Sequence, residues 1–454
     1  MTALLVALTA LISLVGTAAT PTYASLSPWR SDAVADLRGA PTADGWSTDL
    51  AARLLPLVAP GCAAFHASSA VDHVVLLWAT TTGHGCTPAT ADTVTSTVAL
   101  FDTATGDVLW THRLSTDAFR DIGTVAVSSA SVVRASRTVL VEASAAGRFR
   151  VVSLDLATGS LKGFHDLGTT DQGVQSTVTA SFALLGATGA TAGTTRWQLV
   201  DPARVGRPVW FATLDDTARP LLVGDAVFVA LGGRSVRVDG RTGRITTLGQ
   251  GTVDLQSAVV EGNDLYTTQA SDAGDVITAW NGEGRMLWVR SGTGDIVGVT
   301  RTCVVTSFVG TATSSCLSRA TGHVLWGAGT GTSSVSLGLP GQTSDSVFVV
   351  SVAASGRQLL VLDGATGAVE AAASIPVLTF PVLASHSTGY LVRRDAADAD
   401  ESISAFDVRT GRVLWTEGAS RGRSVELWGG RLVSVSSAGV ARELVDRQPG
   451  PLGR

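Results

Sequence analysis

From about residue 60 to residue 446 the chain alternates short apolar runs with clusters of glycine, aspartate, serine and threonine. Runs such as Asp72-His73-Val74-Val75-Leu76-Leu77-Trp78 and Ser346-Val347-Phe348-Val349-Val350-Ser351-Val352 are too short for ordinary helices and predict buried strands. Few helical periods interrupt them. Between Gly284 and Gly322 the pattern predicts four strands, at Met286 to Arg290, Asp295 to Thr300, Cys303 to Phe308 and Ser314 to Leu317.

The segment Val98-Ala99-Leu100-Phe101-Asp102-Thr103-Ala104-Thr105-Gly106-Asp107-Val108-Leu109-Trp110 has seven further relatives. Aligned on the turn glycine they fall at Gly106, Gly159, Gly206, Gly243, Gly284, Gly322, Gly367 and Gly411, with a mean spacing of about 44 residues. That period predicts four-stranded blades arranged in a ring, so the length is used in one closed array.

Each part of the repeat has a physical role. Val98 and Leu100 alternate and turn one strand face into the blade stack. Asp102 is placed to accept hydrogen bonds from turn amides, and Gly106 supplies the left-handed conformation of the reversal. Trp110, on the outer strand, offers a large face to wedge against the neighbouring blade. Asp155, Asp239, Asp363 and Asp407 keep the aspartate; Asp201 is displaced by one residue, and Trp280 and Ser318 stand in its place in the other two copies. Trp210, Trp288, Trp326 and Trp415 keep the tryptophan, whereas Gly163, Thr247 and Ala371 replace it, which predicts locally weaker interfaces.

The repeat resembles that of the pyrroloquinoline-quinone-like (PQQ-like) propeller family, most plainly in Leu362-Asp363-Gly364-Ala365-Thr366-Gly367 and in Ala405-Phe406-Asp407-Val408-Arg409-Thr410-Gly411-Arg412-Val413-Leu414-Trp415. The resemblance covers residues 60–446. It implies an all-β fold, an eight-bladed propeller of four-stranded antiparallel blades, with seven or nine blades as alternatives. The family includes quinone-dependent alcohol and sugar dehydrogenases as well as non-enzymatic propellers, among them a lipoprotein that helps assemble outer-membrane proteins.

Ring closure is not settled by the pattern. Ser424 to Trp428, Arg431 to Ser436 and Val440 to Asp446 predict three strands after the last tryptophan, without a fourth. Cys62 to His66 is one candidate to complete that blade, because closure requires paired edges. Residues 25–59 lack the repeat and read as a linker with a short helix over Thr48 to Leu57; residues 447–454 read as a disordered tail.

Residues 1–24 are uncharged and largely apolar, which predicts a signal peptide or a membrane anchor. Thr22-Tyr23-Ala24 suits cleavage, while the absence of a basic residue before the apolar run weighs against it. Either outcome puts the body of the chain outside the cytoplasm. Four cysteines fit an oxidising compartment. Cys303 and Cys316 flank a predicted hairpin tip at Gly310 to Thr313, which predicts a disulfide, and Cys62 and Cys86 then pair by elimination. The net charge of −5 offers no basic stripe for nucleic acid or anionic lipid.

Candidate chemistry is sparse. A quinone dehydrogenase of the family would imply a calcium ion, a catalytic aspartate and often adjacent cysteines, and no Cys-Cys pair occurs. Cys62, His66, His73, His84 and Cys86 match no closed zinc spacing. Asp395, Asp398, Asp400 and Glu401 read as a solvated hairpin tip lacking the glycine of a calcium loop. Arg234, Arg237, Arg241 and Arg244 read as a charged edge that blocks strand pairing. No catalytic, metal or cofactor-binding residue is assigned. The expectation is a non-catalytic extracytoplasmic propeller binding an unknown protein, peptide or cell-envelope ligand. A quinone-dependent enzyme and a ligand-sensing ectodomain are the alternatives.

Overall fold

The computed structural model describes residues 36–446 apart from 57, 59–61, 72–73, 82–95, 117, 121–124, 170–173, 189–192, 217, 250–252, 271–274, 309–312, 330–331, 337–344, 354–355, 377–378, 386, 394–401, 419–422 and 430. Its strands form nine antiparallel sheets of four strands each. Eight of these are consecutive in the chain: blades 1 to 8 span 63–113, 125–169, 174–215, 221–247, 259–293, 295–329, 332–374 and 379–418. The ninth joins Arg423–Trp428, Arg431–Ser436 and Val440–Val445 to the N-terminal strand Ala43–Asp49.

The blade count is therefore nine, not eight. The missing outer strand comes from within the segment expected to be a linker: Ala43–Asp49 pairs antiparallel with Val440–Val445. Cys62 to His66 does not close the ring. Residues 63–66 belong instead to Ala63–Val71, the innermost strand of blade 1, which Cys62 precedes. A helix follows the closing strand at Leu50–Leu54, shorter than expected, with Asp49 as its N-cap accepting from the Ala52 N–H at 2.9 Å.

Within a blade the burial pattern changes from inside to outside. Second strands are buried on both faces, as in Thr138–Ala145 and Ala226–Leu231, because a blade is covered by neighbours on either side. Outer strands such as Asp107–Arg113 alternate between exposed and half-buried positions. The core consists of layers between blades: Leu76, Val98 and Leu100 of blade 1 pack with Val139, Val141 and Val152 of blade 2. Innermost strands of successive blades lie against one another from blade 9 through blades 1 to 7, which makes them the inner wall of the ring.

The outer strands carry a recurring irregularity. Leu100 pairs with Trp110 but Phe101 pairs with Val108, so Leu109 is an extra, bulged residue. The same shift precedes the tryptophan position in blades 2, 3, 5, 6, 7 and 8. A bulge re-aims the side chain that follows it. Blade 4 pairs Val236, Arg237 and Val238 with Thr247, Thr246 and Ile245 without a shift, and it also lacks the tryptophan.

Candidate functional site

The repeat residues build turns and interfaces before they build anything else. Asp363 Oδ1 accepts from the Ala365 and Thr366 amides at 3.1 and 2.7 Å and from the Thr366 hydroxyl at 2.7 Å. Asp102, Asp155, Asp239 and Asp407 accept from the amide two residues on, and all but Asp102 also from the next amide. The hydroxyl of Thr366 holds the Asp363 carboxyl below the usual carboxylate range, aided by the amides; Thr242 does the same for Asp239. Gly106, Gly159, Gly243, Gly284, Gly322, Gly367 and Gly411 all have φ between 66° and 80°. Gly206 does not. That turn runs through Asp201-Pro202 and a short 3-10 segment, Pro202–Arg204. In blade 5 the acceptor is Asn281, not Trp280: its Oδ1 takes the Glu283 and Arg285 amides at 3.2 and 2.9 Å.

The turns are also docking points. Trp110 donates its indole N–H to Leu156 O at 3.0 Å, Trp288 to Arg319 O at 2.8 Å and Trp326 to Gly364 O at 2.9 Å. In each case the acceptor is the carbonyl just after the aspartate position of the next blade. The indole lies on the turn glycine, where a Cβ on Gly159, Gly322 or Gly367 would come within 2.5 to 2.6 Å of it. Trp210 is buried in the layer between blades 3 and 4.

Trp46 completes the set and was not legible from the repeat. It lies on the closing strand, donates to Thr103 O at 2.6 Å and packs on Gly106. Trp415 of blade 8 meets no such turn, because blade 9 closes with a distant strand. It donates to Leu37 O at 2.8 Å, while the Leu37 N–H donates to the Tyr390 hydroxyl at 3.1 Å. Arg38 adds an ion pair to Asp407 at 2.6 Å.

Where the tryptophan is absent, other groups take part of its place. Between blades 2 and 3, Ser153 Oγ donates to Pro202 O at 2.8 Å. Between blades 4 and 5, Arg237 Nε donates to Gly282 O at 2.7 Å, and Leu248 covers Gly284. Arg237 is thus a bridge between blades and not part of a solvated edge. Ala371 and Ala373 let Gly411 approach closely between blades 7 and 8, beside the edge-to-face pair Phe348 and Phe406.

Cys303 and Cys316 are joined in a disulfide with a Cα–Cα distance of 5.4 Å. Val305, not Cys303, lies opposite Cys316, so the bridge runs diagonally across the strand pair. Cys62 is also disulfide-bonded; Cys86 lies outside the described residues, as do His73, His84 and the acidic run 395–401. His66 stacks on Trp78 at 5.5 Å. Among the described residues no group of three His, Cys, Asp or Glu side chains converges on a metal position. No helix among them is long and apolar enough to cross a membrane.

A cavity of about 590 Å³ opens on the innermost strands of blades 3, 4 and 5. Its polar lining includes Thr177, Thr179, Arg219, Gln256 and Asn263, with Leu221 and Val260 among the apolar part. No carboxylate lines it among the described residues. Asn263 is seated between Gly224 and Gly282, where a Cβ on either glycine would overlap its Oδ1. Arg219 is exposed and makes no ion pair among the described residues. The volume suits a small molecule or a few peptide residues, and the lining is rich in donors.

A family model, PQQ_2, described as outer membrane protein assembly factor BamB, matches residues 310–448. Those residues run from the second hairpin of blade 6 through blade 9, less than half of the chain. No curated protein matches the sequence. Among solved structures, BamB from Moraxella catarrhalis is similar at 13% identity and a TM-score of 0.42, covering 88% of this chain and 98% of that one. Hsv2p from Kluyveromyces lactis is similar at 10% identity and a TM-score of 0.40, covering 65% and 97%. A eukaryotic initiation factor is similar at 10% identity and a TM-score of 0.51, covering 75% and 87%, which speaks to the fold alone. The chain is an all-β propeller with PQQ-like repeats over the matched blades.

Proposed function

We propose that this protein is a non-catalytic, extracytoplasmic β-propeller that binds a protein, peptide or cell-envelope ligand at the inner face of blades 3 to 5. The observation that carries this reading is the donor-rich cavity around Arg219, which the rigid ring holds open. The match of residues 310–448 to the BamB model supports a role in assembly or scaffolding at a cell envelope. The cysteine content and the apolar residues 1–24, read as a signal or anchor, support the location.

The test is a pull-down with the full exported chain from cells whose envelope is intact, run beside an Arg219→Glu variant. A partner enriched by the native chain and lost with the variant is expected. Failure to enrich any partner, together with a thermal shift on adding pyrroloquinoline quinone, would overturn the reading in favour of a quinone enzyme. Protease digestion of intact cells tests the location; a propeller left undigested sinks it.

A further inference from the structure

Resting on the reading of the Arg219 cavity as a binding site, we propose that its ligand is an extended segment of a partner protein in which one acidic side chain stands between two apolar ones at alternate positions. The site begins with a low stretch of the inner wall. The first strands of blades 4 and 5, Leu221–Val223 and Val259–Glu261, are three residues long, against five to nine in the other seven blades. Pro220 has no N–H to give to a ladder, so the strand of blade 4 starts only after it. Arg219 and Gln256 stand outside the sheets, on the connections that lead into these two short strands.

Arg219 lines two recesses at once. On one side is the cavity of about 590 Å³, where Leu221, Leu222 and Val260 stand beside the hydroxyls and amides. On the other is a recess of about 270 Å³ that shares Arg219 and Gln256 and is otherwise mostly apolar, with Ala218, Ala230, Val253 and Leu255. Arg219 is exposed and makes no ion pair among the described residues. The one carboxylate in the smaller recess, that of Asp254, is turned to its own loop: Oδ1 accepts the Gln256 amide at 2.8 Å and Oδ2 the Ser257 hydroxyl at 3.2 Å. A guanidinium so placed fits a carboxylate brought from outside. A carboxylate alone would leave both apolar walls in water. In an extended chain every second side chain falls on the same face, about 7 Å apart, so three alternate residues set an apolar, an acidic and an apolar group against the two walls with Arg219 between them. The channel-facing edges of Leu221–Val223 and Val259–Glu261 have no strand beside them and offer backbone donors and acceptors to such a segment. Asp254 adds a restriction. It would repel an acidic side chain in the smaller recess, so the acid occupies the middle position.

The probe is the peptide acetyl-Val-Ala-Glu-Ala-Val-amide, titrated into the full chain with saturation-transfer NMR and calorimetry as readouts. A Kd on the order of 1 mM is expected. Replacing the peptide's glutamate with glutamine, or Arg219→Gln in the protein, should weaken binding about three- to tenfold, and replacing both valines with serine should weaken it likewise. Arg219→Glu should reverse the preference, so that a peptide with lysine in the middle binds more tightly than the glutamate peptide. Both variants should keep the native Tm, because the side chain is exposed and unpaired. Glutarate, a free small acid, should bind more weakly than the peptide. Equal binding of the glutamate, glutamine and serine-flanked peptides, an unchanged preference in Arg219→Glu, or glutarate binding as tightly as the peptide overturns the proposal. These outcomes are separable from those of the pull-down. A partner captured through Arg219 by a chain indifferent to the peptide's charge leaves the binding site standing and overturns this ligand. A glutamate preference with no captured partner supports the ligand class and removes the envelope role.

Discussion

Trp415 donates its indole N–H to the carbonyl oxygen of Leu37, 378 residues earlier in the chain, at 2.8 Å. This contact substitutes for the turn carbonyl that closure removed from blade 9, and it ties blade 8 to the N-terminal segment. Trp415 is 7% exposed, so Trp415→Ala is expected to cost about 3 to 5 kcal/mol from lost packing and the cavity left behind. Trp415→Phe keeps most of the ring and loses the donor, for about 1 kcal/mol. Urea unfolding of both variants measures the difference; a Trp415→Phe variant as stable as the native chain would mean that the hydrogen bond contributes nothing.

The closing strand has a sharper test. Deleting 36–49 removes the partner of Val440–Val445 and bares its edge. An open, unpaired edge invites pairing with another chain. The shortened protein is expected to form higher oligomers in sedimentation velocity, with a lowered Tm. A monomer of native Tm would show that the ring closes without this strand.

Arg237 and Arg241 lie four residues apart yet face different demands. The Arg237 side chain is 17% exposed and bonded to Gly282 O, whereas that of Arg241 is 75% exposed and paired only with Asp225. Arg237→Met leaves a buried carbonyl without its donor and is expected to cost about 1 to 3 kcal/mol. Arg241→Met should stay within about 0.5 kcal/mol, as a solvated pair. Chemical unfolding of the two variants compares them directly.

These positions show why some of the molecule was legible in the sequence and some was not. The turn of Asp363 and Gly367 is local, so its residue types and spacing declare it. Ala43–Asp49 has no alternating apolar pattern, because an outer strand needs little apolar surface, and Trp46 alone betrays its role. The three strands after Trp415 lack a fourth, but its partner lies about 400 residues earlier in the chain, a separation that no local pattern records. Arg237 reads as one of four charged side chains because its acceptor, Gly282 O, belongs to another blade. The Arg219 cavity is assembled from three blades, so no single motif marks it.

Two glycines separate the cost of backbone conformation from the cost of contact. Gly147 and Gly159 have φ of 78° and 69°, but a Cβ on Gly147 meets nothing within 4 Å, whereas one on Gly159 reaches 2.5 Å from the Trp110 ring. Gly147→Ala is expected to cost about 1 kcal/mol, the conformational term alone. Gly159→Ala is expected to cost more by about 1 to 3 kcal/mol, as overpacking displaces the indole. Intrinsic tryptophan fluorescence should change for the second variant only. Equal costs and unchanged fluorescence in both would remove the docking role of Gly159.

The turn aspartates give the molecule an acid limit. Thr366 donates its hydroxyl and amide to Asp363 and holds the carboxyl below its usual range; Thr242 acts likewise on Asp239. A carboxyl depressed in the folded state favours folding fully above its unfolded pKa of about 4, and that contribution is lost as pH falls through the lower folded value. Thr366→Val removes the hydroxyl donor and keeps the amide, so the folded pKa of Asp363 rises toward the unfolded one. The variant should therefore lose stability relative to the native chain at pH 6 and converge with it as pH falls through the lowered folded pKa of Asp363. Tm measured across that range checks the sign. A difference that grows as pH falls would mean that Thr366 stabilises the turn by some route other than its bond to the ionised carboxylate.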